Sequence, residues 1–177
     1  MGGESGMIPL PQLLERFTRG WKAGLPLTEC GSGSLPENTA NARAALARWC
    51  KQYSLLSVND AGAGDLVWLR GIEWNVFYRA FDLVPRHMTV LPLDISTETL
   101  PPCDLIVCRW VLNHLDPARV DSALALFRQS GSYLAATQFD GGRRCLGHLD
   151  LRGQLGPYLD AVPDAGVPGC SLALWRL

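Results

Sequence analysis

The chain has 177 residues, of which 47% are hydrophobic and 19% are charged, and its formal net charge is −1. This composition predicts one globular domain that buries its core without disulfide bonds, and it excludes a global electrostatic attraction to nucleic acid. No apolar run approaches the roughly 20 residues of a membrane-spanning helix, and no secretory signal opens the chain. We therefore expect a cytoplasmic protein.

The cysteines indicate neither a disulfide framework nor a metal site. There are six of them: Cys30, Cys50, Cys103, Cys108, Cys145 and Cys170. None belongs to a C-x-x-C pair, and the absence of a secretory signal favours reduced, mostly buried thiols.

The first 52 residues predict two helices with a loop between them. Residues 9–21 place three leucines and a phenylalanine on one side of a short amphipathic helix. Residues 28–36 are mostly small and predict a loop. The second helix begins at Pro36 and runs to about Gln52.

From residue 55 onward, apolar runs alternate with helical segments, which predicts an α/β fold with a mostly parallel sheet. Strands are expected near residues 55–60, 76–82, 88–94, 103–108, 132–139 and 171–177. A helical turn is expected near residues 66–70, and Asp116 followed by Pro117 begins a helix that runs to about Gln129. Residues 140–169 are rich in glycine and proline.

A glycine turn between two strands predicts an adenosine-binding site. One apolar run ends at Asp60 and turns through Gly62 and Gly64, and the next run ends at Asp82. Glycine lets the backbone approach a ligand closely, and a carboxylate at the end of the second strand can accept hydrogen bonds from a ribose diol. The 20-residue spacing from Gly62 to Asp82 suits a nicotinamide cofactor as well.

Two features disfavour the nicotinamide alternative. A dinucleotide fingerprint needs a third glycine at position 67, which is Val67 here. A nicotinamide oxidoreductase also needs a substrate domain, for which 177 residues leave little room. Asp60, upstream of the glycines, is instead typical of sites for S-adenosylmethionine (SAM).

Four motifs in order resemble the class I SAM-dependent methyltransferases. They are D-x-G-x-G-D-x-x-W at 60–68, F-D-L-V-P at 81–85, P-L-D-I at 92–95 and D-L-I-V-C-R-W-V-L-N-H-L at 104–115. The chain is most similar to a small bacterial and phage branch, which typically carries G-S-G-S-x-x-E-N-T before the first strand, as residues 31–39 do. The similarity continues through residues 131–139 and the C-terminal L-A-L-W-R-L, so it covers residues 30–177.

The resemblance implies a Rossmann-like α/β fold with SAM as cofactor. Its sheet is mostly parallel with an antiparallel C-terminal strand, and helices cover both faces. Residues 37–177 would form the SAM-binding methyltransferase domain. Residues 1–36 would supply a helix and a small-residue loop that pack over the cofactor site.

The resemblance also implies roles for particular residues. Nine are expected to contact the cofactor: Asp60, Gly62, Gly64, Asp65, Asp82, Leu83, Asp94, Ile95 and Arg109. Asp60 would face the amino-acid moiety, Asp82 the ribose hydroxyls, and Asp94 with the Ile95 backbone the adenine amino group. Arg109 and His114 are the candidate catalytic residues. Alternatively, His114 is a locally satisfied helix residue and Asp94 only caps a helical turn.

Two departures from the family pattern keep a second function open. Only five residues separate Pro85 from Leu91, so the helix that usually follows the second strand and walls the adenine pocket has almost no room. Trp110 stands where the branch often carries a polar residue. The alternative is a catalytically inactive SAM-fold binding protein, such as a phage effector that engages a host protein.

The absence of certain motifs narrows the class of molecule that could accept the methyl group. Amino-group DNA methyltransferases carry Asp/Asn-Pro-Pro-aromatic after the fourth strand, where this chain reads C-R-W-V. Pro101-Pro102-Cys103 precedes that strand, so its thiol would lie at the wrong end of the sheet for cytosine chemistry. A small molecule or a protein side chain is therefore favoured over nucleic acid.

Overall fold

The computed structural model describes residues 28, 30–139, 149–164 and 169–177, and the helix predicted over residues 9–21 lies outside them. The helices are α1 (Pro36–Gln52), α2 (Pro117–Ser130) and the short α3 (Arg152–Leu155). The strands are β1 (Ser57–Ala61), β2 (Phe77–Asp82), β3 (Val90–Pro92), β4 (Cys103–Cys108), β5 (Gly131–Phe139), β6 (Asp160–Pro163) and β7 (Cys170–Arg176).

The seven described strands form one sheet in the order β3-β2-β1-β4-β5-β7-β6. Neighbouring strands from β3 to β5 are parallel. β7 runs antiparallel to both β5 and β6. This arrangement confirms the predicted fold class.

One long helix covers each face of the sheet. Alternate residues of β4 point to opposite faces, so Leu105 belongs to the core under α1 and Ile106 to the core under α2. Both cores exclude water from this strand, which explains why its sequence is a nearly continuous apolar run.

The two long helices begin and pack as their sequences predict. Pro36 opens α1, whose buried stripe includes Leu46 and Trp49. In α2 the carboxylate of Asp116 caps the first turn by accepting a hydrogen bond from the backbone amide of Arg119 at 3.0 Å. These local signals lie within one helical turn, which is why sequence alone locates them.

The connections on the β1–β3 side contain little helix. The segment after β1 has a single 3-10 turn at Val67–Leu69, and no helix lies between β2 and β3. The strand predicted over 88–94 is reduced to Val90–Pro92. The loops that follow these strands are therefore left to form the walls of any site at this edge.

Strand β6 lies within the stretch 140–169, where no strand was predicted. Its four residues carry too few apolar side chains to indicate a strand, and they end at Pro163. Proline is tolerated there because β6 is an edge strand that pairs only with β7. The pairing partner, not the local sequence, makes this segment extended.

No helix in the described part of the chain is long and apolar enough to cross a membrane. The structure records no disulfide bond among the five described cysteines. Cys145 lies outside the described residues.

Phe127 of α2 provides a test of the packing. Its side chain is 1% exposed in the core beneath α2, so Phe127→Ala should lower the free energy of unfolding by about 3–5 kcal/mol. Phe77→Ala, at a position 65% exposed, should change it by only about 0.5 kcal/mol. Urea denaturation measures both, and equal losses would contradict the assignment of the core.

Candidate functional site

A cavity of about 310 Å³ lies at the carboxyl ends of β1, β2 and β4. Parallel α/β sheets bind their ligands at this edge. The residues that line it are Cys30, Ser32, Gly33, Ser34, Gly62, Ala63, Gly64, Trp68, Asp82, Leu83, Arg86, Leu93, Asp94, Ile95, Arg109, Trp110, Val111, His114 and Leu115. Eight of the ten residues predicted for the site are therefore brought together, while Asp60 and Asp65 are not in the lining.

The glycine turn is tight and closely covered. Gly62 has φ 100° and Gly64 has φ 60°, which residues with a Cβ rarely adopt. A Cβ at Gly62 would clash with the side chain of Val111, and one at Gly64 would clash with the thiol of Cys30. Backbone conformation and lack of space thus both require glycine at these two positions.

Asp82 ends β2 and lies against this turn. One carboxylate oxygen accepts a hydrogen bond from the Gly64 amide at 2.8 Å, and the other accepts one from the Val84 amide at 2.9 Å. Burial raises the pKa of Asp82, while these amides and the nearby charge of Arg86 act to lower it. The carboxylate is held in one orientation at the cavity wall, and its unused lone pairs remain able to accept.

Asp60 lies beneath the cavity wall, 1% exposed. Its Oδ2 accepts a hydrogen bond from the Tyr78 hydroxyl at 2.8 Å, whereas Oδ1 has no hydrogen-bond partner among the described residues. Burial raises the pKa of this carboxyl to about 7, and the Tyr78 hydroxyl opposes that rise. Asp60 is thus a buried acid that titrates near neutrality.

Asp65 fixes the shape of the glycine turn from outside the cavity. Its carboxylate accepts hydrogen bonds from the Thr28 hydroxyl at 2.7 Å and from the Val67 amide at 3.2 Å. Thr28 lies just before the segment 30–34 that covers the cavity, so Asp65 connects the glycine turn to that segment.

Asp94 and Ile95 line the opposite side, after β3. Asp94 accepts hydrogen bonds from the amide and hydroxyl of Ser96, at 2.9 and 2.6 Å, and pairs with Arg119 at 3.2 Å. The carboxylate thereby ties the loop after β3 to the first turn of α2. Asp94 therefore both caps the turn that follows it and lines the cavity.

Arg109 is occupied by contacts within the protein. Its guanidinium pairs with Asp164 at 2.9 Å, in a bridge whose side chains are 3% and 0% exposed. It also donates to the carbonyl oxygen of Gly33 at 2.7 Å and lies 5.2 Å from the centre of the Trp68 ring. Arg109 therefore joins the end of β4 to the end of β6 and to the covering segment.

His114 lines the cavity from a 3-10 turn, Leu112–His114, that precedes α2. Its Nε2 lies 3.4 Å from the side-chain amide nitrogen of Asn113. The imidazole is half-buried, so it reaches both the cavity and its own turn.

Sequence reasoning missed three residues at this site. Arg86 lies in the short connection after β2, where no motif marks it. Asp164 is 55 residues from Arg109 along the chain, and nothing local indicates that pairing. Cys30 lines the cavity, and burial raises the pKa of its thiol to about 12. Only the folded arrangement reveals these contacts.

The described residues contain no group of three or more His, Cys, Asp or Glu side chains that could hold a metal ion.

No protein-family model and no curated protein sequence matches the chain. Solved structures match it in fold. The mitomycin 7-O-methyltransferase MmcR aligns with a TM-score of 0.64 at 15% identity, over 93% of this chain and 60% of that one. The N-methyltransferase NodS from Bradyrhizobium japonicum WM9 aligns with a TM-score of 0.58 at 16% identity, over 94% and 96%.

A third match is the 1,6-didemethyltoxoflavin-N1-methyltransferase from Burkholderia thailandensis, with a TM-score of 0.60 at 15% identity, over 94% of this chain and 85% of that one. The chain spans 60% of the length of MmcR and more of the other two. These likenesses confirm that the chain has the fold of the class I SAM-dependent methyltransferases.

The Arg109–Asp164 pair should matter for stability. Asp164→Asn leaves the buried guanidinium without its counter-charge, so we expect a loss of about 3–5 kcal/mol in the free energy of unfolding. The control is Asp121→Asn, which removes one carboxylate charge from the exposed face of α2 and should change the free energy of unfolding by less than about 0.5 kcal/mol. Chemical denaturation at pH 7 compares them; similar small losses would contradict the central role of Asp164.

Asp60 should make stability depend on pH. Its folded pKa of about 7 lies above its usual 3.8, so the folded state holds a proton that the unfolded state releases. The stabilisation is complete below about pH 4 and is lost as pH rises toward 7. Asp60→Asn should therefore gain about 2.5 kcal/mol of stability relative to wild type between pH 5 and pH 8, because nearly all of the loss in wild type over that interval falls between pH 5 and pH 7.

Denaturant midpoints at the two pH values measure this change. Asp121→Asn, on the exposed face of α2, is the control and should track wild type at both. A constant difference between Asp60→Asn and wild type would show that Asp60 has an ordinary pKa.

Proposed function

We propose that the chain binds SAM at this cavity and transfers its methyl group to a small molecule or a protein side chain. The observation that carries the proposal is Asp82, a carboxylate held at the carboxyl end of β2 by the Gly64 and Val84 amides and lining the cavity. A carboxylate in this place can accept hydrogen bonds from both hydroxyls of a ribose. NodS and the toxoflavin enzyme were each crystallised with S-adenosylhomocysteine (SAH), which supports the choice of cofactor.

The other predicted residues receive roles in this proposal from their positions. Gly62 and Gly64 let the turn approach the cofactor, and Leu83 packs beside the ribose. Asp94 and the Ile95 backbone contact the adenine amino group. The carboxylate of Asp94 can accept this further hydrogen bond in addition to the two that it accepts from Ser96.

Two acids act from outside the cavity lining. Asp60 supports the ammonium group of the methionine moiety through water or backbone, because its Oδ1 is buried without a partner. Asp65 holds the turn and the segment from Thr28 onward in register.

The sheet order favours methyl transfer over hydride transfer. A dinucleotide-binding sheet has the order 3-2-1-4-5-6 with parallel strands. Here an antiparallel β7 stands between β5 and β6. The nicotinamide alternative is disfavoured by this topology as well as by Val67.

The chemistry needs little from the protein beyond positioning. Methyl transfer proceeds when the acceptor lone pair, the methyl carbon and the sulfur lie in line, and holding them so supplies much of the rate enhancement. His114 is the side chain in the lining suited to take a proton from the acceptor. Arg109 orders the covering segment and the Trp68 ring, since its guanidinium is already paired with Asp164.

That pairing also favours the second candidate function, a SAM-fold binding protein without turnover. A cation committed to Asp164 and Gly33 is not free to polarise an acceptor. In this alternative the cavity binds the cofactor and the surface engages a host protein. Binding of SAH without methyl transfer to any acceptor would favour it.

Ligand-dependent melting tests the cofactor. SAM or SAH at 100 times its dissociation constant should add about 2.7 kcal/mol, which raises Tm by about 5–10 °C, and NAD should add nothing. Asp82→Asn should abolish the shift because it replaces a ribose acceptor oxygen with a donor. Asp104→Asn, a carboxylate exchange at the amino end of β4, should keep it.

Two outcomes would count against this proposal. A Tm shift with NAD but not with SAH would replace SAM with a dinucleotide. A full SAH shift in Asp82→Asn would remove the ribose assignment, provided that the variant melts cooperatively without ligand. Transfer of a tritiated methyl group from SAM to small-molecule and protein fractions then separates an enzyme from a binding protein.

A further inference from the structure

Trp110 has an unusual backbone for a large residue. Its φ is 56°, in the left-handed region that residues with a Cβ avoid. The described residues contain two other non-glycine positions with positive φ, Ser54 and Leu66, and both lie in connections between elements. Trp110 alone of the three lines the cavity. Strained backbone of this kind concentrates at functional sites.

The indole is fixed by contacts on several sides. The Trp110 amide donates to the Thr137 hydroxyl at 2.7 Å, and Nε1 donates to Oδ2 of Asp164 at 3.1 Å. The ring also meets Phe139 edge to face, with centroids 5.5 Å apart. These contacts come from β5 and from the end of β6, so the ring orientation is set by the sheet rather than by its own loop.

The side chain nevertheless remains half-buried and part of the cavity wall. The same cavity is lined by the apolar side chains of Val111 and Leu115 and by the imidazole of His114. A rigid aromatic surface of this kind recognises planar rings by stacking, at little cost in side-chain entropy.

We propose that the acceptor is a small molecule with a planar aromatic ring, and that Trp110 stacks against this ring and so determines acceptor specificity. This inference rests on the proposed function, because the ring compound is an acceptor only if the protein transfers a methyl group. A phenol is the simplest acceptor of this kind. Its oxygen lone pair forms a bond to the methyl carbon, the carbon–sulfur bond breaks with its electron pair going to sulfur, and SAH leaves. The phenolic proton goes to His114.

A matched pair of probes tests the ring preference. 2-Naphthol is planar, and decahydro-2-naphthol has the same skeleton and hydroxyl without aromaticity. Isothermal titration calorimetry, with and without saturating SAH, measures both. Wild type should bind 2-naphthol at least tenfold more tightly than the saturated alcohol.

Two variants of Trp110 and one control complete the test. Trp110→Phe keeps a ring and should keep the preference with weaker binding, whereas Trp110→Leu should lose it. Trp74→Leu removes an indole that packs on Tyr78 outside the cavity and should leave the preference unchanged. SAH affinity should change less than threefold in all three variants.

The outcomes separate this inference from the proposed function. SAH binding with no preference between the two probes in wild type overturns the role of Trp110 and leaves the cofactor proposal standing. An undiminished preference in Trp110→Leu overturns that role as well. Where Trp110→Leu does not fold, unweakened binding of 2-naphthol by Trp110→Phe overturns it. Ring preference without any SAH binding overturns the acceptor assignment together with methyl transfer. Methylation of protein or nucleic-acid fractions in place of 2-naphthol also overturns the acceptor class.

Discussion

The described site depends most on the carboxylate of Asp164. It neutralises Arg109 and accepts the Trp110 indole hydrogen bond, and the same guanidinium holds the Gly33 carbonyl. A charge buried this deeply is costly to hold unless it is paired and hydrogen-bonded, so these groups are tolerated only together. One acid at the end of β6 thereby fixes the end of β4, an aromatic wall and the segment that covers the cavity.

That dependence follows from how little helix the fold uses at this edge. α1 and α2 cover the two faces of the sheet, but the connections after β1, β2 and β3 hold only one 3-10 turn among their described elements. The cavity walls are therefore loops, which need specific polar contacts to stay in place. The Thr28–Asp65 hydrogen bond and the cluster of Asp94, Ser96 and Arg119 supply such contacts on two other sides.

Asp82 and Asp60 illustrate how neighbouring carboxylates acquire different chemistry. Asp82 is held by two backbone amides at the cavity wall. Asp60 accepts a hydrogen bond from the Tyr78 hydroxyl and is fully enclosed, and this burial raises its pKa to about 7. Strand alternation does not separate the two, because Asp60 pairs with Ala80, and Ala80 and Asp82 point to the same face of the sheet. The sequence motif places both acids at strand ends but does not give their surroundings.

The sequence by itself determined the elements whose signals are local. The Asp116 cap, the proline at the start of each long helix, the apolar run of β4 and the glycine turn all lie within a few residues, where backbone sterics and short-range hydrogen bonds act. The ordered motifs also predicted the fold class and the edge of the sheet at which most candidate residues meet. Tertiary structure decided what those residues touch: that Arg109 is paired with Asp164, that Asp60 lies beneath the cavity rather than in it, and that β6 exists. Each of these features depends on contacts between segments far apart in the chain. The free energy of such contacts comes from burial, which depends on the distant segment that packs against a residue and not on the residues next to it in the sequence.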